Sequence, residues 1–356
     1  MFNSSRWNFN LLQLKLTHPY EDINLGTTVV NKSALCSDCT YLNYLASIFH
    51  RGYFLYIHGK PMFNRDKLST ARALKRDEFY TLYKDVKFEL DHYLDQFRDK
   101  VIYCPCDNSN SAFVKYFLEL ESKGLIKELI YTSLPTDCLS AGAIDGYRHS
   151  DIIVTNPPFS KFREFIGLLD SLNKRFIIWG TNNCITYKQV ASMLVRNRTR
   201  LGYLANKTCE FEVPSEYYNH EDSKVYVRDN TYYVKVPSIT VFTNLNVTIE
   251  NKLKLTKTYS EDQYKKYDNF DAINCDKTLD IPIDYDGYIG VPVTYLSKHD
   301  PTKFKIIGIF NNFKEVDLDS GLIKGESAKL QKPPYKTCGP VISGEPRYVR
   351  LIIQKL

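Results

Sequence analysis

Two hydrophobic rhythms alternate along the middle of the chain. Val86, Leu90, Tyr93, Leu94 and Phe97 recur at helical spacing and predict a helix from about Asp85 to Phe97. The run Val101-Ile102-Tyr103-Cys104 is a strand opening into the loop Pro105-Cys106-Asp107. A helix over Ala112 to Ser122 stops at Gly124, and a second strand runs from Leu125 to Ser133. Asp151 then leads Ile152-Ile153-Val154-Thr155, an unbroken block of β-formers expected as a parallel strand buried on both faces. Helical spacing returns from Phe162 to Leu172, and strand character from Arg175 to Gly180. Another helix begins within Ile185 to Lys188, and a late strand covers Ile239 to Leu245, just after Pro237. Short strands with turns at Gly290 to Tyr295, Phe304 to Gly308 and Arg350 to Ile353 suggest a small β-rich module. Residues 1 to about 70 carry polar turns and an aromatic-rich stretch from Tyr41 to His58, read as an accessory segment covering a face.

Strand, loop and helix in succession form the first half of a Rossmann-like unit. The glycine-rich fingerprint is missing, because no Gly occurs between Val101 and Lys123. Only 17 residues separate Ser133 from Asp151, and a third strand with its crossover helix hardly fits there.

The stretch with the most chemistry is Asn156-Pro157-Pro158-Phe159. Two prolines end the strand, since neither donates to a ladder, and Asn156 is left at the carboxyl end, where open α/β sheets bind ligands. The Asn oxygen and the Pro157 carbonyl can both accept hydrogen bonds from an exocyclic amine, while Phe159 stacks on the heterocycle that bears it. The plain alternative is a strand end with a Pro-Pro turn and a core Phe.

These four residues resemble the catalytic motif of amino-group methyltransferases that use S-adenosylmethionine to methylate adenine. The Cys104-Pro105-Cys106-Asp107 run in place of glycines is similar to one subgroup, the EcoRI-type adenine methyltransferases. So are Ile185 to Lys188, Lys266 to Asn274, Gly290 to Tyr295 and Phe304 to Gly308. The likeness runs from about Leu74 to the C-terminus. It implies an α/β fold, with a Rossmann-like methyltransferase core on a mixed, mostly parallel sheet and a small β-rich C-terminal module. Residues 1–70 would be accessory, 71–245 the core, and 246–356 a linker and DNA-recognition region. Phe79, Tyr80 and Thr81 match a segment that touches the methionine end of the cofactor, with Leu82 where proline is common. Cys104 and Asp107 fall at the first strand and its loop, beside a helix start that suits the cofactor carboxylate. Asp137, or Asp145, is the candidate acidic residue after the second strand. S-adenosylmethionine carries no phosphate, so the lack of glycines matters less than for a dinucleotide. Pro105-Cys106 also resembles the nucleophilic Pro-Cys of cytosine ring methyltransferases, but it ends the first strand and precedes the Asn-Pro-Pro-Phe segment.

Composition changes this picture little. Across 356 residues, a hydrophobic fraction of 43% suits a globular protein, and a net charge of +6 is compatible with a polyanion without requiring one. Lys252, Lys254, Lys257, Lys265 and Lys266 interleave with Tyr259, Tyr264 and Tyr267 in a polar stretch from Asn246 to Asp280. That stretch reads equally as a solvated linker or a contact to a nucleic-acid backbone. Nine cysteines without a framework point to a reducing, cytoplasmic setting. Cys36-x-x-Cys39 is the only metal-like spacing, and no metal is expected. Neither a signal peptide nor a membrane span is expected.

The expected activity is methylation of adenine N6 in double-stranded DNA, the base being extruded from the duplex. Such an enzyme is commonly paired with a cognate restriction endonuclease acting on the same site. RNA adenine or a protein glutamine amide are alternative substrates of related motifs. A nucleic-acid-binding relative that has lost catalysis is an alternative of another class.

Overall fold

A computed structural model describes residues 79–132, 138–140, 143–215, 225–248, 253–313, 319–330 and 336–356, together with four strands nearer the N-terminus. Asp137, Lys252, Cys36, Cys39 and most of the first 78 residues lie outside the described residues. The chain divides into two compact units, Met1–Leu74 and Lys75–Leu356. In the first, strands β1 (Gln13–Thr17), β2 (Thr28–Val29), β3 (Phe54–Ile57) and β4 (Lys60–Pro61) form an antiparallel sheet in the order β2-β1-β3-β4.

The second unit begins with strand β5 (Tyr80–Thr81) and helix α1 (Tyr83–Leu90). A 3-10 turn, Asp91–Tyr93, separates α1 from α2 (Leu94–Phe97), so the single helix expected over this stretch is interrupted. Its apolar face is still continuous: Val86, Leu90, Tyr93 and Phe97 are all fully buried. Strand β6 (Val101–Cys104), helix α3 (Ala112–Ser122), strand β7 (Glu128–Tyr131), helix α4 (Ile144–His149) and strand β8 (Ile152–Thr155) follow. β7 is shorter than the hydrophobic run implied, because Gly124 in a left-handed conformation turns the chain and Leu125 N–H still bonds back to Leu120. Helix α5 (Phe162–Ser171) and strand β9 (Arg175–Thr181) complete the parallel part. A 3-10 turn over Asn182–Thr186 delays helix α6 (Lys188–Val195) past its expected start.

Strands β10 (Arg200–Leu201), β11 (Lys207–Val213), β12 (Val225–Arg228) and β13 (Thr231–Thr243) add an antiparallel flank. β13 begins well before Pro237. That proline and Ser238, at φ 60°, sit where β11 and β13 slip register, a bulge that needs no donor from Pro. Asp229 and Asn230, both at positive φ, make the two-residue turn that joins β12 to β13. The sheet runs β5-β11-β13-β9-β8-β6-β7, with β9, β8, β6 and β7 mutually parallel. The fold is therefore mixed α/β.

Alternation along the parallel strands sorts two apolar layers. Ile102, Ile152, Val154, Ile177 and Trp179 face α1 and α3, whereas Tyr103, Ile153, Phe176 and Ile178 face α4, α5 and α6. The second layer continues into the C-terminal residues. There β14 (Ile273–Asn274), β15 (Ile289–Pro292), β16 (Phe304–Phe310) and β17 (Leu322–Ile323) precede two hairpins, β18 (Ala328–Lys329) with β19 (Lys336–Thr337) and β20 (Val341–Ile342) with β21 (Glu345–Pro346). Strand β22 (Arg350–Lys355) closes a five-stranded sheet ordered β14-β15-β22-β16-β17. Its Ile289, Val291, Ile306, Leu351 and Ile353 share one cluster with Val190, Met193 and Leu194 of α6.

The stretch before this sheet is packed rather than a solvated linker. Leu253, Leu255 and Tyr259 lie on the core, Tyr264 and Tyr267 are buried, and their hydroxyls bond Asp280 O and Asn274 Oδ1.

Glu89 ties α1 to the antiparallel flank. Fully buried, it accepts from Tyr93 Oη at 2.7 Å and from the backbone N–H groups of Tyr203 (3.1 Å) and Leu204 (2.5 Å). Gly202 is required beside it, since a Cβ there would collide with Glu89 Oε1.

Candidate active site

The strand order reverses between β6 and β8: β7 and its helix connection lie to one side, β9 to the other. Crevices at such switch points, outside the carboxyl ends of the strands, are the ligand sites of open α/β sheets. Asp107 follows β6 and Asn156 follows β8, so both border this crevice. They are linked through Thr155, whose Oγ1 donates to Asp107 Oδ2 at 2.6 Å.

Pro157 and Pro158 stop β8, and a 3-10 turn, Phe159–Lys161, leads into α5. Asn156 Nδ2 donates to the carbonyl of Phe79 at 2.9 Å and to Thr81 Oγ1 at 3.2 Å. A carbonyl only accepts, so this contact fixes which end of the amide is nitrogen. Asn156 Oδ1 is left buried with no hydrogen-bond partner among the described residues. Buried acceptors are normally satisfied, so Asn156 Oδ1, like five other buried polar side-chain atoms among the described residues, lacks a hydrogen-bond partner that the protein itself supplies.

Phe159 stacks on Phe79, with ring centroids 5.3 Å apart and planes 24° apart, and Phe211 of β11 meets Phe79 edge-on at 5.8 Å. Phe159 is thus half-buried against another ring rather than standing free.

Asp107 is buried, and desolvation pushes its carboxyl up to about 6, with hydrogen bonds from Thr155 and Ser111 pulling the other way. Its own carbonyl accepts from Thr132 Oγ1 at 3.1 Å, which joins the first loop to the end of β7. Ser111 caps α3 by accepting from Val114 N–H at 3.1 Å. A carboxylate held out of water beside a helix N-terminus suits a zwitterionic ligand: the carboxylate can take an ammonium, the helix end an anionic group. A methyl donor with an amino-acid end fits that donor set.

Of the residues singled out in the sequence, Phe79, Thr81, Asn156 and Phe159 come together in one cluster. Tyr80 points out of it, 49% exposed, and Cys104 is fully buried in the apolar layer. Lys257 and Lys266 are paired with Asp280 and Asp271, while Lys254 and Lys265 are exposed with no ion pair among the described residues. Thr155, Phe211 and Ser111 were not foreseen. Ser111 had a signal, an N-cap type directly before the helix; Phe211 had none, being far away in sequence.

A cavity of about 300 Å³ lies elsewhere, among residues including Leu194, Arg200, Val247, Leu296, His299 and Ile306. It adjoins the amino ends of the parallel strands, where Arg200 pairs with Thr243 and Thr243 with Ile177, and so belongs to the opposite end of the sheet. Among the described residues all seven cysteines are free. No group of three or more His, Cys, Asp or Glu among them is placed to hold a metal. No described helix is long and apolar enough to cross a membrane.

The adenine-specific methyltransferase EcoRI family matches residues 67–139 and 135–356. The type II methyltransferase M.EcoRI of Escherichia coli is 37% identical over 298 residues, covering 70% of this chain and 91% of that protein. M.MgeORF184P of Mycoplasma genitalium is 32% identical and M.MpnI of Mycoplasma pneumoniae 30%, each covering 80% of this chain and 97% of the relative; both are also type II methyltransferases. No solved structure matches the chain. With the matched family spanning both the crevice and the C-terminal sheet, the chain belongs to the EcoRI-type adenine-specific methyltransferases.

Proposed function

We propose that this enzyme transfers a methyl group from S-adenosylmethionine to the exocyclic N6 nitrogen of an adenine extruded from double-stranded DNA. The observation that carries this reading is Asn156 Oδ1, a buried acceptor without a partner whose orientation is fixed by the carbonyl of Phe79. The parallel strands β9-β8-β6-β7 are read as a Rossmann-like core with its switch point at the crevice.

S-adenosylmethionine, when bound, supplies a methyl group on a positively charged sulfur. Asp107 and the start of α3 would hold its amino-acid end, with β5 on the other side carrying Tyr80. Asn156 Oδ1 and the Pro157 carbonyl accept the two N–H bonds of the adenine amine. That draws the nitrogen lone pair out of conjugation with the ring and leaves it available as a nucleophile. Pro157 and Pro158 keep this acceptor pair rigid. Phe159 stacks on the extruded base, braced from behind by Phe79. Lys254 and Lys265, with Lys257 and Lys266 in their ion pairs, are the candidate phosphate contacts, which position the duplex without reading its sequence. The type II relatives make a cognate endonuclease the partner to look for.

The direct test is incubation with duplex DNA and methyl-labelled cofactor, followed by nucleoside analysis. Label in N6-methyladenine is expected. Label only in RNA or peptide controls would reject DNA as the substrate.

Two further expectations concern the pocket. Phe159→Ala should forfeit about 1–3 kcal/mol of base binding and Phe159→Tyr much less. Binding of DNA containing an unpaired target adenine reads this difference, and equal loss of fold in both variants would make Phe159 a core residue only.

Asp107 gives the pH dependence. Its folded value of about 6 lies above the ordinary 3.8, so the folded protein keeps this proton longer. Stability from this group therefore falls as pH rises from about 4 to 6. Cofactor affinity moves the opposite way, because only the carboxylate attracts an ammonium. Calorimetry should show affinity weakening by about tenfold per unit below pH 6. In Asp107→Asn it should be weak and flat; an unchanged slope in that variant would remove Asp107 from the site.

A further inference from the structure

The Asn156 amide is held from one side only, by β5 and Phe79, the residue that precedes it. Its Nδ2 donates to Phe79 O at 2.9 Å and to Thr81 Oγ1 at 3.2 Å, so both N–H bonds are committed to residues 77 and 75 positions earlier in the chain. β5 is in turn locked to the sheet: Thr81 pairs with Phe211 and Tyr80 with Glu212 of β11. Thr81 is buried, and Phe79 is clasped between the rings of Phe159 and Phe211. The two acceptors are therefore as fixed as the strand β8 that presents the amide.

We propose that Thr81, together with the Phe79 carbonyl, is a positioning residue that orients and polarises the Asn156 amide for the adenine amine. This rests on the proposed reading of Asn156 as the amine's acceptor. Orientation follows from exclusion at the Phe79 carbonyl: a flipped amide would set Asn156 Oδ1 against it, oxygen against oxygen, and would keep at best one bond, accepted from a reoriented Thr81 hydroxyl. Polarisation follows from cooperativity in a poorly hydrated site. Each hydrogen bond donated by the amide nitrogen pulls its lone pair into the C–N bond and adds electron density to Oδ1. Oδ1 then accepts more strongly from the amine as charge builds on it. Thr81 does not meet the adenine amine in this role. It acts through Asn156.

The test uses Thr81→Val, which keeps shape and removes the acceptor, with Thr81→Ser as the restoring variant and Thr81→Ala should Val disturb the fold. Single-turnover methylation of duplex DNA is expected to slow about tenfold in Thr81→Val and to recover in Thr81→Ser, as for one lost hydrogen bond. Dissociation constants for cofactor and DNA should stay within about twofold. The second readout needs no activity: the side-chain amide NMR pair of Asn156, assigned by its absence in Asn156→Ala. One of its two protons should move upfield in Thr81→Val and return in Thr81→Ser. Wild-type turnover with an unmoved amide pair would overturn the proposal. So would an unmoved pair with lost cofactor affinity, which would make Thr81 a cofactor residue. Absence of DNA methylation by the wild-type protein, with the amide pair still shifted in Thr81→Val, would sink the methylation reading while upholding the Thr81–Asn156 contact.

Discussion

Asn156→Ala is expected to lower the methylation rate by on the order of 100- to 1000-fold, with fold and cofactor binding retained. That is the usual loss when one preorganised partner of a reacting group is removed. Fold should survive because Asn156 follows β8 and only its side chain is deleted, leaving Phe79 O and Thr81 Oγ1 to find water in the crevice. Asn156→Asp separates geometry from donor chemistry. It keeps an oxygen towards the amine but sets a second one against the Phe79 carbonyl, where Nδ2 now donates at 2.9 Å. It should therefore also be severely impaired. Single-turnover assays at saturating cofactor, with calorimetry on the same samples, check both variants. Wild-type-like turnover by Asn156→Ala would remove this residue from the chemistry.

The largest stability effect is expected at Glu89. Glu89→Ala leaves the Tyr93 hydroxyl and the Tyr203 and Leu204 N–H groups without their acceptor in a closed core. Unpaired buried donors and a lost buried partner together cost about 3–5 kcal/mol. For a protein of this size that is a fall of about 4–7 °C in melting temperature. Glu89→Gln keeps one acceptor oxygen but turns an amide N–H₂ towards a backbone donor, so it should fall between the two. Burial raises the Glu89 carboxyl above its ordinary 4.5, while its three donors oppose the shift. The folded state thus holds this proton longer, and stability falls as pH rises above 4.5 towards the folded value. Glu89→Gln should lose that slope. Thermal melts across pH decide it: a Glu89→Ala protein as stable as wild type would refute the role.

The two sites differ in how far they could be read in advance. The Asn156 motif is contiguous: β-formers, two prolines and an aromatic say locally where a strand ends and what stands there. The parallel strands β6, β8 and β9 and helix α3 were legible for the same reason, with apolar blocks and a cap inside ten or so residues. The antiparallel flank was not. β11 and β12 have mixed patterns because one of their faces stays exposed, and Phe211 reaches Phe79 only through pairing across the sheet. The contact between Thr81 and Asn156 is equally silent, since a Thr two residues beyond a Phe looks like any short strand. Glu89 was hidden by its type: an acidic residue in an amphipathic helix ordinarily faces water. Its three donors come from the 3-10 turn that follows its helix and from a loop more than a hundred residues on. Tyr264 and Tyr267 misled in the opposite sense, because tyrosines among lysines look solvent-facing until a second sheet covers them.

The order of the C-terminal sheet has a consequence for synthesis. β22 occupies its middle, between β15 and β16, yet follows all four other strands in the chain. As the polypeptide leaves the ribosome, β15 and β16 must therefore wait with open edges for the strand that joins them. The apolar side of α6 waits with them, because that sheet is its cover. Long-range pairing of this kind is slow and leaves edges exposed to other chains. The parallel strands and their helices are made earlier and can collapse first, so the nascent enzyme holds its crevice before it owns the sheet that stabilises the far side of α6. Newly made molecules should depend most on chaperones in that interval, and the strand of this sheet made last, not the catalytic motif, sets when its open edges are covered.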